Sequence, residues 1–148
     1  MTGKPDRTGS VRAVVEIPRA MYDAMIAHAR RDHPDEACGV ITGRDGRAAR
    51  LLEMLNAARS PTFYEFDSAD LLALYREMDD LDEEPFVIYH SHTATEAYPS
   101  RTDIAYASEP GAHYVLVSTR EDLDGAAEVR SYRIVDGEVS EEEIVLVG

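Results

Sequence analysis

The stretch Phe86-Val-Ile-Tyr-His-Ser-His92 decides the fold that we expect for this chain. Its first four residues form a continuous apolar run, which is typical of a strand buried on both faces of a sheet. Such a strand carries the two histidines that follow the run, His90 and His92, to the end of the sheet. Side chains of this type at a strand end indicate a functional site.

Strands and helices alternate on either side of this central strand. Apolar residues recur every three or four positions over 19–31 and again after Asp67 or Ser68, which predicts two amphipathic helices, the second ending near 79–80. The other predicted elements are strands at 11–17, 37–42, 48–55, 113–119, 126–135 and 138–147, and a short third helix that begins at 99–103 and stops at 110–111. Pro85 is expected to break the chain before the central strand. Helices interleaved with lone strands and hairpins predict an α/β fold, with a mixed sheet and helices packed against its faces.

The length and charge of the chain limit its class. A chain of 148 residues fits one domain. The first ten residues are small and polar, so we expect a mobile tail at 1–10 and a folded domain at 11–148. With 44% hydrophobic and 30% charged residues, the composition is that of a globular protein and not of a disordered or membrane-embedded one. The net charge of −14 repels phosphate backbones and anionic lipids, which argues against nucleic acid or a membrane as partner.

Cys38 is the single cysteine of the sequence. It excludes a disulfide within the chain and any zinc or iron–sulfur site built from several cysteines, and it suits a reducing compartment. A metal ion would therefore be bound through His, Asp or Glu. The sequence has neither the apolar core of a signal peptide nor a run of about 18 apolar residues, so we expect the protein in the cytoplasm.

The spacing from His90 to Asp103 predicts a metal site. Two histidines one residue apart on a strand point to the same face, so they can share an ion. Asp103 follows Ser100 by three residues, which places it in the first turn of a helix capped by that serine, where its carboxylate can turn back towards His90 and His92. Two imidazoles, one carboxylate and an open fourth position are the ligand set of a catalytic zinc ion, whereas structural zinc normally has four protein ligands. The open position implies hydrolysis.

Hydrolysis by such a site also needs a carboxylate near the ion to accept and return a proton. Glu36 is the best candidate, because it lies at the junction of the first helix and the 37–42 strand and is followed by Cys38-Gly39, where backbone can approach closely. Ser100 has two possible roles, as a helix cap and as a hydroxyl donor to a developing oxyanion, and both can hold at once.

The remaining candidate residues have structural interpretations. Cys38 is expected to be a small buried hydrophobic residue and not a nucleophile. His28, His33 and His113 are expected to be structural or solvated, and the acidic run 141–143 is expected to be a solvated edge.

The chain resembles the JAMM, or MPN-plus, metalloprotease family, whose pattern is an upstream glutamate followed by His-x-His-x7-Ser-x2-Asp. The resemblance implies that His90, His92 and Asp103 bind one zinc ion, that Glu36 is the general acid and base, and that Ser100 helps to stabilise the tetrahedral intermediate. It also implies a single-domain, three-layer α-β-α fold of the cytidine-deaminase-like (JAB1/MPN) type.

Five longer stretches resemble one bacterial branch of this family, at 28–40, 59–64, 87–103, 113–120 and 130–137. This branch acts on a small ubiquitin-like sulfur-carrier protein, CysO-like, that ends in Gly-Gly and bears a cysteine in amide linkage. The resemblance therefore implies hydrolysis of that amide, with release of L-cysteine in cysteine biosynthesis. Two alternatives stay open: a deconjugase or precursor-trimming peptidase for ubiquitin-like proteins, and a non-catalytic scaffold on the same fold.

A groove for the thin Gly-Gly tail is expected beside the motif. The loop 93–99 and the irregular segment 56–66 are the candidates for its walls. Arg59 or Arg101 is a candidate partner for the carboxylate of the departing cysteine.

Overall fold

The computed structural model describes residues 13–148, and the predicted tail at 1–10 lies outside the described residues. The described part contains seven strands and three α-helices. These are β1 (Val14–Pro18), α1 (Arg19–Asp32), β2 (Cys38–Arg44), β3 (Arg47–Met54), α2 (Ser68–Leu81), β4 (Glu84–His92), α3 (Arg101–Tyr106), β5 (His113–Ser118), β6 (Glu128–Val135) and β7 (Glu138–Val147), with a 3₁₀ turn at Glu121–Leu123.

The strands form one mixed sheet in the order β1-β7-β6-β5-β4-β2-β3. β4 runs parallel to β5 and β1 runs parallel to β7, and the other neighbours are antiparallel. The predicted mixed sheet is therefore confirmed, with β4 in its interior as the apolar run indicates.

Helices cover both faces of this sheet. Met25 and Ala29 of α1 pack in one buried cluster with Val87 and Tyr89 of β4. On the opposite face, α2 packs on β2 and β3, and α3 packs near β4 and β5. Because side chains alternate along a strand, Ile88 of β4 faces the α2/α3 side. The predicted three-layer α-β-α arrangement is confirmed.

Two Asp-Gly pairs close tight hairpins. Asp45-Gly46 joins β2 to β3 and Asp136-Gly137 joins β6 to β7, and all four residues have positive φ angles between 52° and 79°. This is the conformation of a two-residue type I′ turn, which asparagine, aspartate and glycine tolerate best.

Three predictions made from the sequence are wrong in detail. Pro85 does not break the chain but lies within β4, which is possible because β5 begins opposite Val87 and leaves the proline without a second partner strand. The third helix ends at Tyr106, before the residues 110–111. Glu142 is not on a solvated edge: it is only 6% exposed, because β7 lies between β1 and β6. The carboxylate of Glu142 accepts a hydrogen bond from Ser131 and contacts His113.

Gly39 allows β2 and β4 to approach each other beside the metal-ligand candidates. A methyl group at this position would overlap the ring of Tyr89, which is 1% exposed and whose hydroxyl is hydrogen-bonded to Nδ1 of His28 at 2.7 Å. We therefore expect Gly39→Ala to lower the free energy of unfolding by about 2–3 kcal/mol in urea titrations. The control is Gly111→Ala, since an added methyl at Gly111 meets no atom within 4 Å. Equal stability of the two variants would contradict this account of the packing.

Candidate metal centre

His90 and His92 lie at the carboxyl end of β4 on the α2/α3 face of the sheet. Both are buried, with 2% and 5% of their surface exposed. Their Nε2 atoms are 3.3 Å apart. The strand therefore points both imidazoles at one place, as the period-two spacing predicts.

Asp103 reaches the same place from the first turn of α3. Ser100 is the N-cap of this helix: its Oγ accepts a hydrogen bond from the N–H of Asp103 at 3.0 Å, and its own N–H donates to Oδ2 of Asp103 at 2.8 Å. This reciprocal capping box fixes the aspartate rotamer. Oδ2 consequently lies 3.1 Å from Nε2 of His90 and 3.0 Å from Nε2 of His92.

The three atoms fit the ligand set of a tetrahedral ion. Ligand atoms placed about 2.0–2.2 Å from such an ion are about 3.3–3.6 Å from one another. The separation of 3.3 Å lies at the lower end of this range, and those of 3.0 and 3.1 Å are slightly shorter. Two imidazole nitrogens and one carboxylate oxygen also match the donor chemistry of zinc and leave a fourth position without a protein ligand. Residues 13–148 thus contain a group that can hold a metal ion.

The surroundings of His90 and His92 favour the protonation states in which an imidazole nitrogen can bind a metal. Nδ1 of His92 is 3.0 Å from the carbonyl oxygen of Glu96, which can only accept, so this nitrogen carries a proton and Nε2 has the free lone pair when the ring is neutral. His90 stacks on the ring of Tyr64 at 4.4 Å, and its buried Nδ1 has no hydrogen-bond partner among the described residues. Burial lowers the pKa of His90, which keeps its imidazole neutral.

The surroundings of Asp103 and His92 shift the pKa values of the two side chains in opposite directions. Burial by itself would raise the pKa of Asp103, but hydrogen bonds from His90, His92 and the N–H of Ser100 together hold it well below its usual range. Burial likewise opposes the charge of His92, yet its contacts with Asp103 and the Glu96 carbonyl leave its pKa raised. The aspartate is therefore an anion over the whole physiological range, as a metal ligand must be.

Glu36 is brought to this centre by the pairing of β2 with β4. Cys38 pairs with His90 in an antiparallel register, and Ala37 exchanges hydrogen bonds with Ser91 through its carbonyl and its N–H. Continuing that register by two residues places Glu36 opposite His92, on the same face. Glu36 is 5% exposed, and burial raises its pKa to about 7, with opposing effects from His92 and Asp103.

Asn56 is a site residue that the sequence analysis missed. Its buried amide donates to the carbonyls of Glu36 and Phe63, both at 3.0 Å, and its Oδ1 accepts from the N–H groups of Ala58 and Glu65. The irregular segment 56–66 is thereby tied to the backbone of Glu36. The lack of regular periodicity in this segment was the available signal, but it did not identify the asparagine.

A cavity of about 280 Å³ adjoins Asp103. Its walls are the 63–66 part of the irregular segment on one side and Thr102, Asp103 and Tyr106 of α3 on the other. The segment 56–66 therefore supplies one wall of this cavity and α3 supplies the other. The loop 93–99 does not line it.

The other singled-out residues have structural surroundings. Cys38 is fully buried, and burial raises the pKa of its thiol to about 12, so it remains protonated at neutral pH. His28 is buried between Tyr89 and Asp32, and His113 contacts Glu142. Nδ1 of His33 is 2.8 Å from Oγ1 of Thr119 at the surface.

The raised pKa of Glu36 predicts a stability cost that depends on pH. The pKa is about 7 in the folded protein against an ordinary 4.5, so ionisation opposes folding: the cost is absent at low pH, grows above about 4.5 and is complete above about 7. We expect Glu36→Gln to stabilise the metal-free protein by less than about 1 kcal/mol at pH 5 and by about 2–3 kcal/mol at pH 8. Urea titrations at the two pH values measure this, with the exposed Glu96→Gln as matched control. A Glu36→Gln protein no more stable than the control at pH 8 would refute the burial argument.

Two histidines at the end of β4, an aspartate beside them and a buried glutamate opposite them form the arrangement expected of a metallopeptidase. The chain belongs to the family of prokaryotic homologues of the JAB domain, which matches residues 18–135. It is thus a hydrolase of the JAMM family, and the resemblance seen in the sequence is confirmed.

Relatives support the same assignment over most of the chain. A protein of Mycobacterium tuberculosis named CysO-cysteine peptidase is 59% identical over 143 residues, which cover 95% of this chain and 96% of the relative. A desampylase of Haloferax volcanii is 31% identical over 103 residues, covering 65% of this chain and 74% of the relative. The solution structure of protein DSY2949 from Desulfitobacterium hafniense has a TM-score of 0.76 and 31% identity, covering 90% of this chain and 92% of that one.

Within residues 13–148, none of the helices has the length and apolar character needed to cross a membrane.

Proposed function

We propose that this protein hydrolyses the amide between the carboxyl-terminal glycine of a ubiquitin-like sulfur-carrier protein and cysteine, and so releases L-cysteine in cysteine biosynthesis. The observation that supports this substrate is the 59% identity to CysO-cysteine peptidase over 95% of the chain. We infer a CysO-like carrier ending in Gly-Gly as the protein partner.

His90, His92 and Asp103 are proposed as the ligands of one zinc ion. The convergence of their three donor atoms within 3.3 Å supports this role. A zinc ion held there supplies a Lewis acid for the scissile carbonyl and lowers the pKa of water. The protein's own part is to keep His90 neutral by burial, to orient Nε2 of His92 through the contact of its Nδ1 with the Glu96 carbonyl, and to keep Asp103 ionised.

Glu36 is proposed as the general base and acid. It accepts a proton from the attacking water and then donates that proton to the leaving amine nitrogen of cysteine. A pKa of about 7 lets the same carboxyl group hold or release a proton near neutral pH. Its place opposite His92 follows from the β2–β4 register.

Ser100 is proposed to stabilise the oxyanion. Its Oγ already accepts a hydrogen bond from Asp103, but a hydroxyl can accept and donate at once, so its proton is free for the developing negative charge. The helix-cap role and the catalytic role are therefore compatible in one side chain.

The cavity between segment 63–66 and α3 is proposed to receive the Gly-Gly tail. Phe63, Tyr64, Phe66 and Tyr106 give it largely aromatic walls, which suit an extended chain without side chains. We call it the tail cavity. Bulky residues next to the scissile bond would hold the carbonyl away from the ligand atoms.

The test uses three substrates: the carrier–cysteine adduct, the carrier extended by a few residues, and a carrier joined to a protein lysine. The zinc-loaded protein is incubated with each, and products are weighed by mass spectrometry. We expect rapid release of cysteine from the first and cleavage of the others at least about 100-fold more slowly. Comparable cleavage of the lysine conjugate would overturn the proposed substrate.

Deconjugation of ubiquitin-like proteins is the second candidate function, and the 31% identity to the Haloferax desampylase favours it. The carrier-precursor substrate in the same experiment tests the trimming form of this activity. A non-catalytic scaffold is disfavoured because the complete donor set and the buried Glu36 are both present. The charge of −14 argues against a DNA-associated role.

The cytoplasm is the compartment in which we propose that the enzyme acts. The single cysteine, buried in β2, is compatible with a reducing environment. Fractionation with a tagged chain tests this directly.

A further inference from the structure

A second cavity lies where the chain leaves β4, directly after His92. It has a volume of about 370 Å³ and is lined by His33, Thr93, Ala94, Arg120, Glu121 and Asp122. Thr93 directly follows His92, and the N–H of Thr119 donates to the carbonyl of His92 at 2.9 Å. The cavity therefore lies at the carboxyl ends of the parallel strands β4 and β5, where α/β proteins commonly bind ligands.

The charges of the two cavities differ. The tail cavity is lined by Glu65 and Asp103 and by no cationic side chain. The second cavity is lined by the guanidinium of Arg120, and Arg30 lines a neighbouring cavity that shares His33, Arg120 and Glu121 with it. A free carboxylate is repelled from the tail cavity and attracted to the second one.

The two acidic residues of the second cavity do not cancel this difference. The side chain of Asp122 is 75% exposed, so water and salt screen its charge. Glu121 is exposed as well. Arg120 is more protected, with 29% of its side chain exposed.

Arg120 is held in place at the wall of the second cavity by two carboxylates, those of Glu128 and Asp122. Its Nη2 lies 3.2 Å from Oε1 of Glu128, but Glu128 is shared, since Nε of Arg130 lies 3.5 Å from Oε2. Nε of Arg120 is buried without a hydrogen-bond partner among the described residues, and the Asp122 oxygen 3.4 Å away does not meet hydrogen-bond geometry. A guanidinium fixed at the wall of a cavity is a group that binds carboxylates well.

We propose that this second cavity binds the α-carboxylate of the amino acid on the leaving side of the scissile amide, and that Arg120 is its specificity-determining residue. The inference rests on the proposed function, because it names the recognition of the released amino acid. Arg59 and Arg101, the candidates from the sequence, line neither this cavity nor the tail cavity. Arg120 is therefore the arginine that we assign to the carboxylate.

The test compares two substrates, the carrier joined to cysteine and the same carrier joined to cysteine amide, which lacks the carboxylate charge. We expect the zinc-loaded wild-type protein to have a kcat/KM about 30-fold higher on the cysteine substrate, the ratio typical of one charge-assisted bidentate contact. Arg120→Gln is expected to lower kcat/KM about 30-fold on the cysteine substrate and less than about threefold on the amide. Arg120→Lys should recover part of the preference, which also covers the case in which the glutamine variant does not fold.

Arg130→Gln is the matched control, because it removes the other arginine that contacts Glu128, and Arg130 lines neither the tail cavity nor the second cavity. Its preference for the cysteine substrate should equal that of the wild type. A readout without turnover is calorimetric binding of both carriers to metal-free Glu36→Gln protein. The cysteine form should bind more tightly, and adding Arg120→Gln should remove the difference.

The outcomes separate the two proposals. Equal wild-type rates on both substrates, or an equal loss on both in Arg120→Gln, would overturn the carboxylate cavity and leave the proposed function intact. A zinc-loaded wild type that cleaves neither substrate would overturn the proposed function, and the binding preference would then decide the cavity alone.

Discussion

Replacing Glu36 with glutamine is expected to lower kcat on the carrier–cysteine substrate by about 10³-fold while the protein still binds one zinc ion. Glutamine keeps the size of the side chain but can neither accept the proton of the attacking water nor return it to the leaving amine, and such proton transfer commonly contributes 10²–10⁴-fold. Glu36→Ala should lose turnover equally. The measurement is kcat under saturating substrate together with the zinc content of the same sample.

The control for this prediction is Glu96→Gln. Glu96 is an exposed carboxylate near the centre that contributes its backbone carbonyl, and not its side chain, to His92. Its kcat should stay within about twofold of the wild type. Full activity in Glu36→Ala would show that another group moves the proton.

Replacing His92 with alanine is expected to abolish both zinc binding and turnover. The variant leaves only His90 and Asp103, and losing even an outer-shell partner of a metal ligand commonly costs 10–100-fold in affinity. We expect the dissociation constant for zinc to rise by more than about 100-fold. Competition against a chromogenic chelator measures this constant without substrate.

His33→Ala is the matched histidine control for metal binding. His33 is exposed and its Nδ1 lies against Thr119, away from the three donor atoms. The zinc affinity of this variant should equal that of the wild type. If His92→Ala retains stoichiometric zinc with wild-type affinity, the ligand assignment is wrong.

The sequence predicts most of the local structure because local patterns control it. The apolar run at 86–89 predicts the buried strand, and the Asp-Gly pairs predict the turns at 45–46 and 136–137. The capping box of Ser100 with Asp103 is also local, since it joins residues three positions apart. These features need no knowledge of distant parts of the chain.

Features that depend on distant pairing could not be predicted. The parallel pairing of β1 with β7 joins the two ends of the described chain, and it turns Glu142 from an apparent edge residue into a buried one. Pro85 is accepted within β4 only because β5 begins two residues further along the register. Neither fact is encoded within a short window of sequence.

The candidate site likewise combines features that a local pattern predicts with features that depend on distant parts of the chain. The motif from His90 to Asp103 predicts the three donor residues by spacing alone, and the structure brings their donor atoms together. Glu36 was the best of many acidic residues, and only the register of Cys38 with His90 places it opposite His92. Asn56 is hydrogen-bonded to the backbone of Glu36, 20 positions away, and the proposed role of Arg120 depends on a cavity built from several elements, so no local pattern reveals either residue.

The most direct test of the central claim is the zinc stoichiometry of the wild-type protein after reconstitution and gel filtration, measured by elemental analysis. The account predicts one zinc ion per chain, bound through His90, His92 and Asp103 and lost in His92→Ala. Reconstituted wild-type protein that retains no stoichiometric zinc would contradict it.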